Sequence, residues 1–244
     1  TIEAMNKYTV LLLIAMSFGI EFSQAQAKWV NLFNGKDLSG WKQLNGKALY
    51  GVKNGEIIGT TVFKEPNSFL VTEADYGDFI LELEYRLDAD MNSGIQFRSL
   101  SKPDYKDGRV HGYQMEIDPS ARAWSGGIYD EARRDWLYPL EFNAAAKTAY
   151  KKGEWNKCRI ECIGPVIRIW VNGIPTANLV DDITLKGFIA LQVHSIGKPE
   201  DAGKTIRWRN IRIQTQDLKP SPPDDIFVVN MMPNTLSEQE KKNG

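Results

Sequence analysis

Gly112 to Tyr129 reads GYQMEIDPSARAWSGGIY, and its opening decides the fold. Tyr113, Met115 and Ile117 alternate with Gln114, Glu116 and Asp118. Strand side chains point to opposite faces with period two. One face is therefore apolar, and the other carries an amide and two carboxylates. Pro119 ends the strand. Trp124, the Gly126-Gly127 turn and Tyr129 follow, a loop whose aromatics suit stacking on a sugar or closing a lid.

Two further stretches repeat the pattern. In Asn92 to Arg98, Ile95 and Phe97 alternate with Gln96 and Arg98; in Ile189 to His194, Ile189, Leu191 and Val193 alternate with Gln192 and His194. Placed in one sheet, Gln96, Arg98, Gln114, Glu116, Asp118, Gln192 and His194 form a single polar surface. His111 stands at the end of the preceding loop, next to the carboxylates. A plain solvated sheet face would also alternate. Such faces, however, mix Lys, Thr, Ser and Glu without order. Amides, one Arg, one His and two acids are the equipment of a carbohydrate or polar small-molecule site.

Outward from this centre the chain reads as short strands. Asn54-Gly55 and Asn172-Gly173 each separate two apolar runs and suit type I′ hairpin turns. Phe79 to Leu87 alternates Leu81, Leu83 and Tyr85 with Glu82, Glu84 and Arg86. Asp130 to Tyr150 lacks alternation and reads as a covering loop or one short helix. In all, about eleven short strands with almost no helix predict an all-β fold, an antiparallel jelly-roll sandwich of two sheets. One sheet of such a sandwich curves, and the polar set would line its concave face. The domain is expected over residues 28–217. A Pro-rich tail, residues 218–244, carries Pro220, Pro222 and Pro223 and ends in a polar, solvated stretch.

The formal net charge of −1 and the absence of a Lys/Arg stripe argue against a nucleic-acid partner. Met5-Asn6-Lys7, the apolar run Val10 to Ile20 and the small-x-small site Ala25-Gln26-Ala27 read as a secretory signal peptide over residues 1–27. The run is too short for a spanning helix, and no Cys follows it for a lipid anchor. A periplasmic or secreted protein without a membrane anchor is expected. Cys158 and Cys162 lie four apart on one strand, roughly 13 Å, beyond disulfide reach. They read as buried thiols. No cofactor is indicated. A divalent metal is conceivable at Glu116, Asp118 and His194 if their strands are adjacent, with mutual hydrogen bonding and Arg98 as the simpler arrangement.

LFNGKDLSGW, NSGIQFR, GYQMEID, the GGIY turn, EWNKCRIECIG, the VNG hairpin, IALQVH and the closing IRI, in this order and spacing, resemble the 3-keto-disaccharide hydrolase domain family over roughly residues 29–214. The resemblance implies a concanavalin-like jelly roll. It also implies hydrolysis of glycosides already oxidised to a ketone at C3. A C3 ketone acidifies the C2 proton; a base removes it, the enolate expels the C1 leaving group, and water adds back. Such a route needs a base, donors at the O3 oxyanion and an acid for the leaving oxygen. The polar face offers Glu116 and Asp118 as base or acid, Arg98 and Gln192 as donors, and His194 or His111 as a second proton carrier. Gln96, Gln114, Trp124 and Tyr129 would bind substrate. Two other readings fit the residues. Glu116 and Asp118, about 6.8 Å apart along the strand, suit a direct two-carboxylate glycosidase of either spacing. Trp124, Tyr129 and Trp136 suit a non-catalytic carbohydrate-binding module.

Overall fold

The computed structural model describes residues 28–232. The leader expected at residues 1–27 and the end of the tail, residues 233–244, lie outside the described residues. Within them the chain is an all-β sandwich of two sheets. The nine-stranded sheet contains β1 (Val30–Asn31), β3 (Leu49–Lys53), β4 (Glu56–Thr60), β6 (Phe79–Leu87), β11 (Asn156–Ile163), β12 (Val166–Val171), β13 (Ile174–Val180), β15 (Thr205–Gln214) and β16 (Val229–Asn230). The seven-stranded sheet contains β2 (Trp41–Asn45), β5 (Ser68–Thr72), β7 (Ser93–Leu100), β8 (His111–Ile117), β9 (Ile128–Glu131), β10 (Asp135–Tyr138) and β14 (Phe188–Val193), in the order β10-β9-β8-β7-β14-β5-β2. Every pairing is antiparallel except β13 with β16.

The core lies between the sheets and is built from the alternation. Leu81, Leu83 and Tyr85 of β6 are buried while Glu82, Glu84 and Arg86 are partly exposed. Facing them, β8 contributes Tyr113, Met115 and Ile117. Cys158 Sγ meets Met115 Sδ at 3.0 Å, a contact from one sheet to the other. Both cysteines are free and buried. Fully burying one leucine, isoleucine or methionine of this core contributes about 1.5–3 kcal/mol. Asn54-Gly55 (φ 55° and 76°) and Asn172-Gly173 (φ 52° and 79°) have the two left-handed residues that a type I′ turn requires.

All seven residues of β8 are buried, so its polar face is covered as well as its apolar one. The segment 101–110 lies beside it, over β5 and β14. Val110 packs with Phe69, Val71, Phe188 and Ala190 into a small second apolar cluster. Val110 N–H donates to Asn45 Oδ1, and Asn45 Nδ2 donates to the Gly108 carbonyl, fixing the segment in place.

Two expectations change, and the start of the tail, on which the sequence placed none, docks on the domain. Asp130 to Tyr150 contains the β9–β10 hairpin, its turn closed by Arg133 and Arg134 on Asp130, then a 3₁₀ segment over Leu140–Thr148. Turn and strands together are too short for alternation to show. The tail is ordered through residue 232: Arg168 donates to the Ser221 and Pro222 carbonyls and to Asp224, and Val229–Asn230 pairs with β13. Finally, β7 carries a bulge. Phe97 pairs with Tyr113 and Leu100 with His111, leaving Arg98 and Ser99 to oppose Gly112. Arg98 takes φ 46°, and the alternation reverses there.

Candidate functional site

The register puts three residues in a row across the outer face of the seven-stranded sheet. Glu116 on β8 pairs with Gly94 on β7, and Gly94 pairs with Gln192 on β14. Two strand spacings separate Glu116 from Gln192, roughly 10 Å between their backbones. Glycine between them makes room for the Gln114 side chain. A Cβ at Gly94 would stand 2.3 Å from the Gln114 side chain, which lies across that position. The row below runs Tyr129, Gln114, Gln96, Ala190.

Gln114 and its neighbours form a chain of amide donors that ends on Glu116. Ser99 Oγ donates to Gln96 Oε1 (2.6 Å), Gln96 Nε2 to Gln114 Oε1 (2.7 Å), and Gln114 Nε2 to Glu116 Oε2 (2.9 Å). Asn92 Nδ2 donates to the other oxygen, Glu116 Oε1. Aligned chains of this kind polarise one another. Glu116 is 4% exposed. Burial pushes its carboxyl up, the Asn92 and Gln114 donors pull it back, and the result is a pKa of about 7.

Asp118 goes the other way. Burial works against its charge, but hydrogen bonds from Ser120 and from the Arg122 guanidinium (2.8 Å) outweigh it and hold the carboxyl below its ordinary range. Asp118 therefore serves Arg122. That guanidinium lies 4.2 Å from the Trp124 ring and 4.8 Å from the Trp136 ring. Trp124 Nε1 donates to Glu141, and Tyr129 Oη to Asp135. The aromatic wall is thus braced by hydrogen bonds and capped by Arg122.

A cavity of about 210 Å³ opens on this face, lined by Asn92, Gln114, Glu116, Arg122, Tyr129, Glu131, Trp136, Gln192 and His194. Of the residues expected at a site, it gathers Gln114, Glu116, Gln192, His194 and Tyr129. Gln96 lies beneath it as a link in the amide chain. Arg98 is elsewhere, contrary to the expected shared face. The bulge turns it to the sandwich end, where it is fully buried and donates to the Gly77 and Gly164 carbonyls and to Asp78. His111 sits at the far end of β8, its Nδ1 2.8 Å from the Arg109 carbonyl and its ring 4.0 Å from Tyr105. Asp118 and Trp124 stand behind Arg122 and do not line the cavity. Arg133 is tied to Asp130 and Thr184. Among the described residues no three His, Cys, Asp or Glu side chains gather as a metal-ligand group. Asp118 faces Arg122, and His194 Nδ1 is 2.7 Å from the Ser195 carbonyl.

Asn92, Arg122 and Glu131 enter the cavity unforeseen as site residues, and Trp136, expected only under the binding-module reading, joins them. Asn92 was legible: it continues the phase of Gly94 and Gln96. Arg122 sits in a loop, where periodicity says nothing.

Gln192 is the unusual group. It is fully buried, and neither its amide nitrogen nor its oxygen has a partner among the described residues. An unmet buried polar group costs about 1–3 kcal/mol; Gln192 carries two such atoms, where Tyr85, Arg133, Asn178 and Trp208 carry one each. Gln192→Leu keeps the bulk and removes both polar atoms. It is expected to leave stability unchanged or raise it by about 1 kcal/mol, read from urea unfolding. A loss of more than 1 kcal/mol would show that the carboxamide is satisfied in the free protein.

A larger cavity, about 760 Å³, lies on the nine-stranded sheet. Its carboxylates and guanidiniums are already paired: Arg159 with Glu82 and Glu161, Arg212 with Glu82, Arg209 with Glu84. Arg159 and Arg168 also flank the Trp170 ring. The smaller cavity, with its raised carboxyl and unmet amide, is the chemically poised one.

Residues 28–214 match the family of 3-keto-alpha-glucoside-1,2-lyase-like domains. No curated protein matches the chain. Among solved structures it resembles two proposed glycosyl hydrolases of Parabacteroides distasonis ATCC 8503. One is 21% identical (TM-score 0.56, covering 78% of this chain and 94% of that one). The other is 24% identical (TM-score 0.53, 77% and 99%). A Bacillus subtilis protein of unknown function with a galectin-like fold is 12% identical (TM-score 0.54, 77% and 94%). These likenesses establish the fold.

Proposed function

Because the chain belongs to the 3-keto-alpha-glucoside-1,2-lyase-like domain family, we propose that it cleaves 3-keto-glycosides by elimination across C1 and C2, with Glu116 as the base. Membership brings the coarser statement, a carbohydrate-related function. The observation that carries the finer one is the pairing of Glu116 and Gln192 across Gly94: a buried carboxyl with pKa about 7, opposite an unpartnered carboxamide.

The sugar's C3 ketone acidifies its C2 proton. Glu116 takes that proton, and the C2–H electrons form the enolate, placing negative charge on O3. The Gln192 amide N–H donates to O3, and its carbonyl accepts from a neighbouring hydroxyl. Arg122 supplies positive charge at the cavity wall. The enolate then collapses: O3 becomes a carbonyl again, a C1–C2 double bond forms, and the C1–O bond breaks with its electrons leaving on the aglycone oxygen. That oxygen takes a proton. Water adding its oxygen at C1 and a proton at C2 completes hydrolysis. A base near neutrality is what such a step asks for.

The competing readings fit less well. The second carboxylate in the cavity is Glu131, which pairs with Gly112, four residues along β8 from Glu116. That is roughly 13 Å of strand between backbone positions, and the Glu131 carboxylate is already paired with Arg109 (3.1 Å). A binding module would offer open aromatic faces, but Arg122 covers Trp124 and Trp136. The reading of residues 1–27 as an export signal belongs with this proposal and rests on sequence alone.

The test is turnover of a 3-keto-glucoside beside its unoxidised parent. Only the ketone should react, and a substrate deuterated at C2 should react more slowly. Equal turnover of the parent, or no isotope effect on single-turnover cleavage, would overturn the mechanism.

A further inference from the structure

Ser99 is fully buried and stands at the head of the hydrogen-bond chain that ends on Glu116. The β7 bulge puts it there. In a regular strand, residues three apart point to opposite faces, so Ser99 would face away from Gln96. The residue added at Arg98 and Ser99 reverses the alternation and brings the hydroxyl under the Gln96 side chain. Gly112, opposite the bulge, makes room: its φ is 138°, and a Cβ on it would stand 2.5 Å from Ser99 Oγ. The hydroxyl meets three oxygens: Gln96 Oε1 at 2.6 Å, the Phe97 carbonyl at 3.1 Å and the Tyr113 carbonyl at 3.3 Å. The two carbonyls bring no hydrogen, and the shortest of the three contacts has the length of an O–H···O bond. The serine hydrogen therefore lies on Gln96 Oε1. That points the Gln96 amide N–H at Gln114, and the Gln114 N–H at Glu116 Oε2.

We propose that Ser99 is a positioning residue for the base: acting through Gln96 and Gln114, it fixes the direction of the buried amide chain and so keeps a donor on Glu116 Oε2. The role rests on Glu116 being the base of the proposed cleavage. A carboxylate only accepts, so a chain running this way favours the ionised form. A chain running the other way would offer Glu116 the Gln114 oxygen and favour the protonated form. Without the hydroxyl, Gln96 Oε1 would be a buried acceptor beside two carbonyls. An unmet buried acceptor is costly, so the amide turns its nitrogen to those carbonyls, and Gln114 turns with it. The charged and titratable groups around Glu116 are Asp118 and Arg122 of the β8–β9 loop, Tyr129 and Glu131 of β9, and His194 after β14. From β7 and β14 come Asn92, Gly94 and Gln192, all uncharged. Among the described residues Ser99 bonds to none of the charged groups, so its effect on Glu116 runs through Gln96.

The test titrates Glu116 directly. Carboxyl carbon shifts are followed by NMR across neutral pH in protein labelled at glutamate, and the Glu116 signal is identified by its absence from Glu116→Gln. Ser99→Ala is expected to raise the Glu116 midpoint by about one unit or more, the worth of a hydrogen bond to a charged group. The rise of kcat/KM on a 3-keto-glucoside should move to higher pH by the same amount. Gln96→Met cuts the chain at the next link with similar bulk and should act likewise. Adding Ser99→Ala to Gln96→Met should then move the midpoint by less than about 0.3 unit, because the route is already cut. A serine that mattered only for packing would lower stability and leave the midpoint in place. An unmoved or lowered midpoint in Ser99→Ala, or a full shift from Ser99→Ala in the Gln96→Met background, would overturn the role. Should Ser99→Ala fail to fold, Ser99→Cys, which keeps a weaker donor, is titrated in its place and should shift the midpoint the same way by less. If the midpoint moves as expected while the wild type turns over no 3-keto-glycoside, the chain stands and the proposed reaction fails.

Discussion

Glu116→Gln is expected to lower turnover of a 3-keto-glucoside by about 10²–10⁴-fold, the usual cost of losing a positioned general base. The substitution keeps length and shape. It places an amide where two donors, from Asn92 and Gln114, now converge. Gln114 cannot turn over without breaking its bond from Gln96, but the Asn92 amide can, and it then accepts from the new nitrogen. The variant should fold, bind substrate and fail at the proton transfer. Asp118→Asn should cost less, because Asp118 acts through Arg122. Single-turnover assays of both variants separate the cases. Glu116→Gln within tenfold of wild type would remove Glu116 as the base and move the search to His194.

The second expectation concerns stability and has the opposite direction in pH. Glu116 titrates near 7 in the folded protein against 4.5 for the ordinary group. Between those values the folded state keeps a proton that the unfolded state has released. Stability therefore falls as pH rises through this window, and the loss is complete above about pH 7. The span corresponds to about 3 kcal/mol. Glu116→Gln has nothing to ionise there. Its stability relative to wild type should rise by about that amount from pH 4.5 to pH 8, measured by urea unfolding at each pH. A constant difference across the window would mean that Glu116 ionises without strain. The same ionisation should govern rate: kcat/KM should climb through pH 7 as the carboxylate forms, so the protein gains its base at the expense of its fold.

Alternation made β6, β8 and β14 readable, because each buries one face and a period of two leaves only one way to do so. It also put Gln114, Glu116 and Gln192 on one surface. Arg98 escaped because a bulge adds a residue without altering composition; NSGIQFR reads the same with or without it. The site's depth was hidden too. That Glu116 is buried follows from the Asn92 and Gln114 side chains laid against it and from Arg122 of the β8–β9 loop, and long-range packing of loops leaves no periodic mark. Gly94 was visible as a letter, but its meaning depends on which residues flank it in the sheet.

The docked segment after residue 217 has a consequence for association. The family match ends at residue 214, yet β16 lies along β13, Met231 N–H donates to the Val180 carbonyl, and Tyr138 donates to Phe227. Without that two-residue strand, the Leu179–Val180 end of β13 would be an open sheet edge, with unpaired backbone groups ready to recruit another chain. The segment beyond the matched domain thus acts as a guard against edge-to-edge aggregation. A version trimmed to the family boundary would keep every residue of the cavity and lose its protection from self-assembly.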